Sequence, residues 1–217
     1  MEGLFISFEG MDGCGKSTQI RFLAEELRKR GYDVLTTREP GGCRVSEQIR
    51  DILLDVENAE MSDKTEALLY AAARAQHVNE VIKPALNAGK VVLTDRFLDS
   101  SLAYQGAGRD LSVEKISEIG RFSTGGLMPY KTFFLDFPPE KAFKRMNEHK
   151  KRDRLETQQR EFYINVYKCF KQLAESEPER FIIIDVSGNK FQTHAKILEK
   201  TNEILGETAI KKVCSFE

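Results

Sequence analysis

At 217 residues and a formal net charge of −1, the chain is long enough to bury one full α/β core and lacks the basic excess of a general nucleic-acid binder. No apolar run approaches the roughly 18 residues of a membrane span, and the N-terminus has neither the basic start nor the small-residue cleavage site of a signal peptide. A soluble, cytoplasmic protein without a nucleic-acid or membrane partner is expected, and the four cysteines (14, 43, 169, 214), which show no metal-ligand spacing, read as free thiols.

The first informative stretch is Leu4-Phe5-Ile6-Ser7-Phe8, an apolar run of buried-strand length. Ile20, Leu23, Ala24 and Leu27 then recur at helical spacing. Between them lies Gly10-Met11-Asp12-Gly13-Cys14-Gly15-Lys16-Ser17-Thr18, which satisfies G-x-x-x-x-G-K-[ST] in the strand, loop and helix setting that makes the pattern a phosphate loop. Its glycines free backbone N–H groups to turn toward phosphate oxygens at a helix N-terminus. Residues 10–18 are therefore assigned to the phosphates of a nucleotide, with Lys16 reaching the outer phosphates and Ser17 ligating Mg²⁺. Cys14, beside Lys16 at that N-terminus, and Cys43, after a loop facing the same site, read first as small residues in tight loops; a thiol of lowered pKa that is sensitive to oxidation is the alternative.

Arg28-Lys29-Arg30-Gly31 ends the helix, and Val34-Leu35-Thr36-Thr37 is a second strand. Arg38-Glu39-Pro40-Gly41-Gly42 follows at its carboxyl end, where open parallel sheets bind ligands; an ordinary polar turn is an equal alternative. An Asp63/Glu66 capping box signals a long alanine-rich helix from Asp63 to about residues 88–89, kinked or broken near Pro84. Tyr70 and Arg74 share a face of it, either as pocket residues for a planar ligand or as a core aromatic beside a surface arginine.

Val91-Val92-Leu93-Thr94-Asp95 is a buried strand ending in an acid that could hold Mg²⁺, and Arg96 follows at the phosphate end of the sheet. Ser100 to Gly106 is a short helical segment, Thr132 to Asp136 a fourth strand, Phe181 to Asp185 a fifth, and a last helix spans about 191–205. The alternation predicts a parallel sheet with helices on both faces and a single domain. Residues 148–154 form a basic patch, a solvated face unless cations are needed over a polyphosphate. Asp185 to Gln192 superficially matches guanine-nucleotide motifs. However, the two halves are contiguous and Gln192 stands where an acid is required, so a GTPase switch is disfavoured.

Taken together, F-E-G-x-D-G-x-G-K-S at 8–17, R-E-P-G-G at 38–42, aromatic-x-x-x-Arg at 70–74, D-R-F at 95–97, S-S-x-A-Y-Q-G at 100–106 and D-R-L-E at 153–156 make the chain resemble the thymidylate kinases. The resemblance implies a P-loop NTPase fold with five parallel strands, a homodimer, and transfer of phosphate from Mg-ATP to dTMP. It implies that Asp12 contacts the monophosphate's sugar, that Arg96 grips the acceptor phosphate with Arg38 assisting, and that Glu39 and Pro40 line the substrate. Tyr70 would stack on thymine, Arg74 bond its carbonyl, Ser101 lie near the base edge, and Tyr104 and Gln105 surround the deoxyribose. Asp95 would serve the metal, and residues 148–156 would form a lid over ATP. Because Gly13 stands where some members place a P-loop arginine, the catalytic cation is sought in Arg152 or Arg154, with Arg152 favoured as the finger and Arg154 bracing the lid or touching ATP. The nearest rival is a P-loop kinase acting on a different nucleoside or nucleotide.

Overall fold

The computed structural model describes residues 3–142, 154 and 158–214, with residues 208–214 described by backbone alone. Five strands form one sheet: β1 (Leu4–Glu9), β2 (Val34–Arg38), β3 (Val91–Asp95), β4 (Lys131–Asp136) and β5 (Phe181–Asp185). Their order is β2-β3-β1-β4-β5 and every neighbouring pair is parallel. Each strand coincides with a run recognised as a strand in the sequence.

Side chains alternate between two cores, as strands covered on both faces require. Phe5 and Val92 join one cluster with Val78, Ile82, Ala85 and Ile116. Ile6, Phe8, Val91 and Leu93 join the other with Leu23, Phe170 and Ile197. The helices that carry these partners are α1 (Lys16–Lys29), α2 (Arg44–Leu54), α3 (Asp63–His77), α4 (Lys83–Asn87), α5 (Leu98–Ser101), α6 (Val113–Thr124), α7 (Arg160–Ser176) and α8 (Lys190–Cys214). Ile20, Leu23, Ala24 and Leu27 are the buried apolar face of α1, at the expected spacing.

Several details differ from the sequence expectation. Helix α3 does start at Asp63, but its cap is Ser62, whose hydroxyl oxygen accepts the Thr65 N–H at 3.2 Å. Glu66 is thereby released from capping and is fully buried. The long helix does not run straight to residue 89: a π-helical turn over Val78–Ile82 intervenes before α4. Pro84 explains it, because a proline ring can neither bond nor tolerate the carbonyl four residues back, and a wider turn displaces that carbonyl. A second π-helical stretch, Leu102–Gly108, continues α5. Helices α2 and α6 were not anticipated, and α8 extends nine residues beyond Leu205 to Cys214.

The sheet order places β1 at the switch point, with β3 on one side and β4 on the other. Ligands of such sheets bind outside the carboxyl ends of the strands there. Register aligns the chemistry: Asp95 pairs with Phe8 on β1 and with Arg38 on β2. The phosphate loop, the D-R-F turn and the R-E-P-G-G loop therefore leave the sheet at one level.

Candidate active site

The loop after β1 turns on glycines at positive φ, among them Gly10 (137°) and Gly15 (101°). A Cβ on Gly10 would lie 2.7 Å from the Leu135 carbonyl oxygen, so the close approach of β4 requires glycine there. Lys16 Nζ donates to the carbonyls of Gly10 and Met11, both at 3.2 Å, curling over the loop it is to serve. Ser17 Oγ donates to Asp95 Oδ2 at 2.6 Å. A hydroxyl and a strand-end carboxylate in contact form a pair of hard oxygen donors. Among the described residues no cluster of three or more His, Cys, Asp or Glu could hold a metal alone. The pair fits Mg²⁺, which characteristically takes one or two protein oxygens and completes its shell with phosphates and water.

Arg96 is the first residue past β3 and has a left-handed backbone, φ 71°. That conformation is costly for a non-glycine residue, and several bonds hold it. Its N–H donates to the Phe8 carbonyl at 3.0 Å, its own carbonyl accepts Thr94 Oγ1 at 2.9 Å, and the next N–H, of Phe97, donates to Glu9 Oε1 at 2.7 Å. The guanidinium is positioned as firmly: Nη2 donates to Asp12 Oδ1 (2.6 Å) and to Tyr104 Oη (3.1 Å), and Nη1 to Ser100 Oγ (2.9 Å). Tyr104 donates in turn to Asp12 Oδ2 at 2.8 Å. Burial raises the Asp12 carboxyl, but Arg96, Lys16 and the Tyr104 hydroxyl outweigh it and bring the pKa down to about 2. Asp12 is thus an anion that orients Arg96 while leaving the arginine beside the phosphate loop.

Two clefts meet at this pair. One is lined by Gly13, Gly15, Lys16, Ser17, Arg38 and Asp95, the other by Pro40, Tyr70, Arg74, Ser101 and Gln105, and Asp12, Glu39, Arg50 and Arg96 border both. In the second, Arg74 is buried, with Nε on Glu39 Oε2 (2.6 Å) and Nη2 on Ser101 Oγ (2.9 Å) and the Phe97 carbonyl (3.2 Å). Its Nη1 has no partner among the described residues. The spacing rule that put Tyr70 and Arg74 on one face therefore leads to a pocket wall, and the reading of Arg74 as a surface residue is excluded.

Some expected ligands are occupied by other protein groups. Both Glu39 oxygens are engaged, by Arg74 and by His77 Nδ1 at 3.1 Å, although the side chain borders both clefts. The Gln105 amide donates to Glu66 Oε1 at 2.9 Å. Arg38 is half exposed and paired with Glu47 at 2.8 Å. Arg154, expected among the cations over ATP, is buried with Nη2 on Glu66 Oε2 (2.6 Å) and Nε on the Leu53 carbonyl (2.9 Å). Arg154 is thus tied to α2 and α3, and with Arg109 it supplies the countercharge that the buried Glu66 carboxylate needs. Arg152 and the other residues of 148–156 expected to form a lid, Arg154 apart, lie outside the described residues.

Two alternatives weighed in the sequence fall away. Cys14 is buried, and burial outweighs the pull of Lys16 and Arg96 and raises the thiol pKa, so the helix N-terminus does not make it a thiolate. The stretch resembling guanine-nucleotide motifs is a helix start: Asn189 Oδ1 accepts the Phe191 and Gln192 N–H groups, and Gln192 Oε1 accepts that of Asn189, a reciprocal cap on α8. Sequence reasoning also missed Glu9, Glu66, Ser100 and His77. Only Glu9 and Ser100 carried a signal, through their places inside recognised motifs.

A phosphate loop with a paired hydroxyl and carboxylate beside it, opening through Arg96 onto a pocket with an outstretched guanidinium edge, has the layout of a P-loop kinase that joins a polyphosphate donor to a phosphorylated acceptor. The family model described as Thymidylate kinase matches residues 8–197. The thymidylate kinase of Caldanaerobacter subterraneus subsp. tengcongensis is 48% identical over 205 residues, covering 94% of this chain and 98% of that protein. That of Geotalea uraniireducens is 50% identical over 201 residues, 90% of this chain and 94% of that one. A crystal structure of thymidylate kinase from Ehrlichia chaffeensis superposes with a TM-score of 0.75 at 30% identity, covering 93% of this chain and 99% of that chain. The chain belongs to the thymidylate kinase family, nucleoside monophosphate kinases that phosphorylate dTMP to dTDP with ATP in dTTP synthesis.

Proposed function

We propose that the chain, acting as a single domain, transfers the γ-phosphoryl group of Mg-ATP to the 5′-phosphate of dTMP. The observation that carries this reading is Arg96, fixed by Asp12, Tyr104 and Ser100 on the border of the two clefts, where donor and acceptor phosphates would meet. Phosphoryl transfer asks mainly for alignment and for charge stabilisation along the path of the moving group. The backbone N–H groups of residues 10–18 and Lys16 would hold the donor, and Arg96 with Arg38 the acceptor phosphate. Ser17 and Asp95 would hold Mg²⁺, which when bound neutralises charge on the outer phosphates of ATP. Tyr70 would stack on the thymine ring, and the open Nη1 edge of Arg74 would donate to the C4 carbonyl, which cytosine replaces with an amine. Tyr104, pressed toward the sugar, would leave little room for a 2′-hydroxyl. Arg152 is proposed as the cation that reaches the transferred group from the lid.

The partners are two small molecules, both nucleotides of the cytoplasm, and a second copy of the chain. Support for a homodimer comes from exposed apolar residues on α3 and on the two helices packed against it: Ile52 of α2, Leu68 of α3 and Phe122 of α6, the last 90% exposed. No helix among the described residues is long and apolar enough to cross a membrane.

Turnover of Mg-ATP should be measured with dTMP, dUMP, the thymine ribonucleotide, dCMP and AMP side by side. The expected order is dTMP first, with dUMP behind by the about 1–3 kcal/mol that one methyl can supply. AMP or dCMP turned over as well as dTMP would overturn the reading.

A further inference from the structure

We propose that His77 is a positioning residue for base recognition: through Glu39 it fixes the direction in which Arg74 presents its free edge to the pyrimidine. The inference rests on the reading of Arg74 as the base ligand.

A guanidinium can select a carbonyl over an amine only if its plane is held, since a swinging arginine finds some acceptor on any base. Arg74 is held on two of its three nitrogens. The bonds to Ser101 and to the Phe97 carbonyl share Nη2 and so act on one corner. The Nε bond to Glu39 is what prevents rotation about it. Glu39, however, lies on the loop after β2, next to glycines at positive φ (Gly41, 126°; Gly42, 87°). Its carboxylate needs a second fixed point, and His77 Nδ1 supplies it on the other oxygen at 3.1 Å.

His77 is fully buried, one helical turn past Arg74 on α3, and its Nε2 lies 2.7 Å from Thr37 Oγ1 on β2. The neutral Nδ1–H tautomer satisfies both contacts, with Nδ1 donating to Glu39 and Nε2 accepting from the threonine. The loop closes tightly over the ring: a Cβ on Gly42 would stand 2.4 Å from His77 Nε2 and 2.7 Å from Thr37 Oγ1. A chain of contacts thus runs from Thr37 through His77, Glu39 and Arg74 to Ser101, tying β2, α3 and α5 together behind the base. None of its first three members needs to touch the nucleotide.

The test compares His77→Leu, His77→Asn, Thr37→Val and Arg74→Ala by steady-state kinetics with dTMP and dCMP, alongside thermal melting. His77→Leu should raise KM for dTMP about tenfold and reduce the dTMP:dCMP ratio of kcat/KM by a similar factor, while KM for ATP and kcat at saturation stay near wild type. His77→Asn, whose side-chain amide can replace the Nδ1 donor, should recover most of the ratio. Thr37→Val should shift it in the same direction by less, and it provides the measurement if His77→Leu does not fold. An unchanged ratio in both His77→Leu and Thr37→Val, with collapse of the ratio in Arg74→Ala, overturns the proposal. If Arg74→Ala also leaves the ratio unchanged, the base-pocket reading fails instead, and the role of His77 fails with it.

Discussion

Glu9 holds Phe97: one carboxylate oxygen of Glu9 accepts the Phe97 N–H at 2.7 Å and the other accepts Ser100 Oγ at 2.6 Å. Through these bonds the last residue of the first strand braces the turn in which Arg96 is strained. Burial first, and then Asp99, raise the Glu9 pKa from 4.5 to about 7, against the opposing pull of Arg96 and its hydrogen bonds.

A raised folded-state pKa means that the native chain holds this proton more tightly than the unfolded chain. The resulting stabilisation is fully present below about pH 4.5 and is lost as pH rises through about 7. Glu9→Gln, which mimics the protonated form, should flatten the fall in unfolding free energy across that window by up to roughly 3 kcal/mol. Urea denaturation of both proteins at pH 5 and pH 8 measures the difference. Parallel curves at the two pH values would contradict the assignment.

The two arginines of the lid region should fail in different ways. Arg152→Ala should lower kcat by roughly 10³–10⁵ if it is the cation over the transferred group, with little change in Tm. Arg154→Ala should cost chiefly stability, because Arg154 is buried against Glu66. Glu66→Ala leaves Arg109 and Arg154 without their shared carboxylate and should cost about 3–5 kcal/mol, a fall in Tm of order 10 °C. Calorimetry beside single-turnover kinetics separates the two classes.

If Ser17 and Asp95 are the Mg²⁺ ligands, Asp95→Asn should require roughly tenfold more free Mg²⁺ for half-maximal rate, as metal sites weaken when their carboxylate is neutralised. Melting temperature without nucleotide should change little, since Asp95 is partly exposed and its bond to Ser17 survives as a neutral one. A magnesium titration at fixed ATP decides it. Unchanged magnesium dependence would move the metal elsewhere.

Cys43 should react before Cys14. Cys14 is sealed with its thiol pKa raised, whereas Cys43 is half-buried at the start of α2, 3.1 Å from Ser46 Oγ. Iodoacetamide at pH 8 followed by peptide mapping should label Cys43 ahead of Cys14. Earlier labelling of Cys14 would revive the thiolate reading.

The strands were legible because each is closed by a charged residue at its carboxyl end and all but the edge strand β2 are mainly apolar runs, a pattern that parallel sheets impose through burial and through function. Helix α2 was not recognised, although Val45, Ile49, Ile52 and Leu53 recur at helical spacing, and only Ser46 and Leu53 of its eleven residues are buried. The phosphate loop and the D-R-F turn could be read locally because their function resides in adjacent residues. Partnerships across the fold could not. Glu66 looks like half of a capping box, and nothing in its neighbourhood announces arginines at positions 109 and 154. His77 sits in an alanine-rich helix with no local sign that it faces Thr37.

The central place of β1 has a consequence for synthesis on the ribosome. The strand is made first, yet its hydrogen-bonding neighbours are β3 and β4, so neither edge can be satisfied until residue 95 and then residue 136 have emerged. Until then a strand apolar on both faces has no sheet to enter, and the nascent chain carries an exposed edge of the kind that recruits chaperones or aggregates. Slowing translation just before β3 should prolong that exposure, whereas a pause after β4 should come too late to matter.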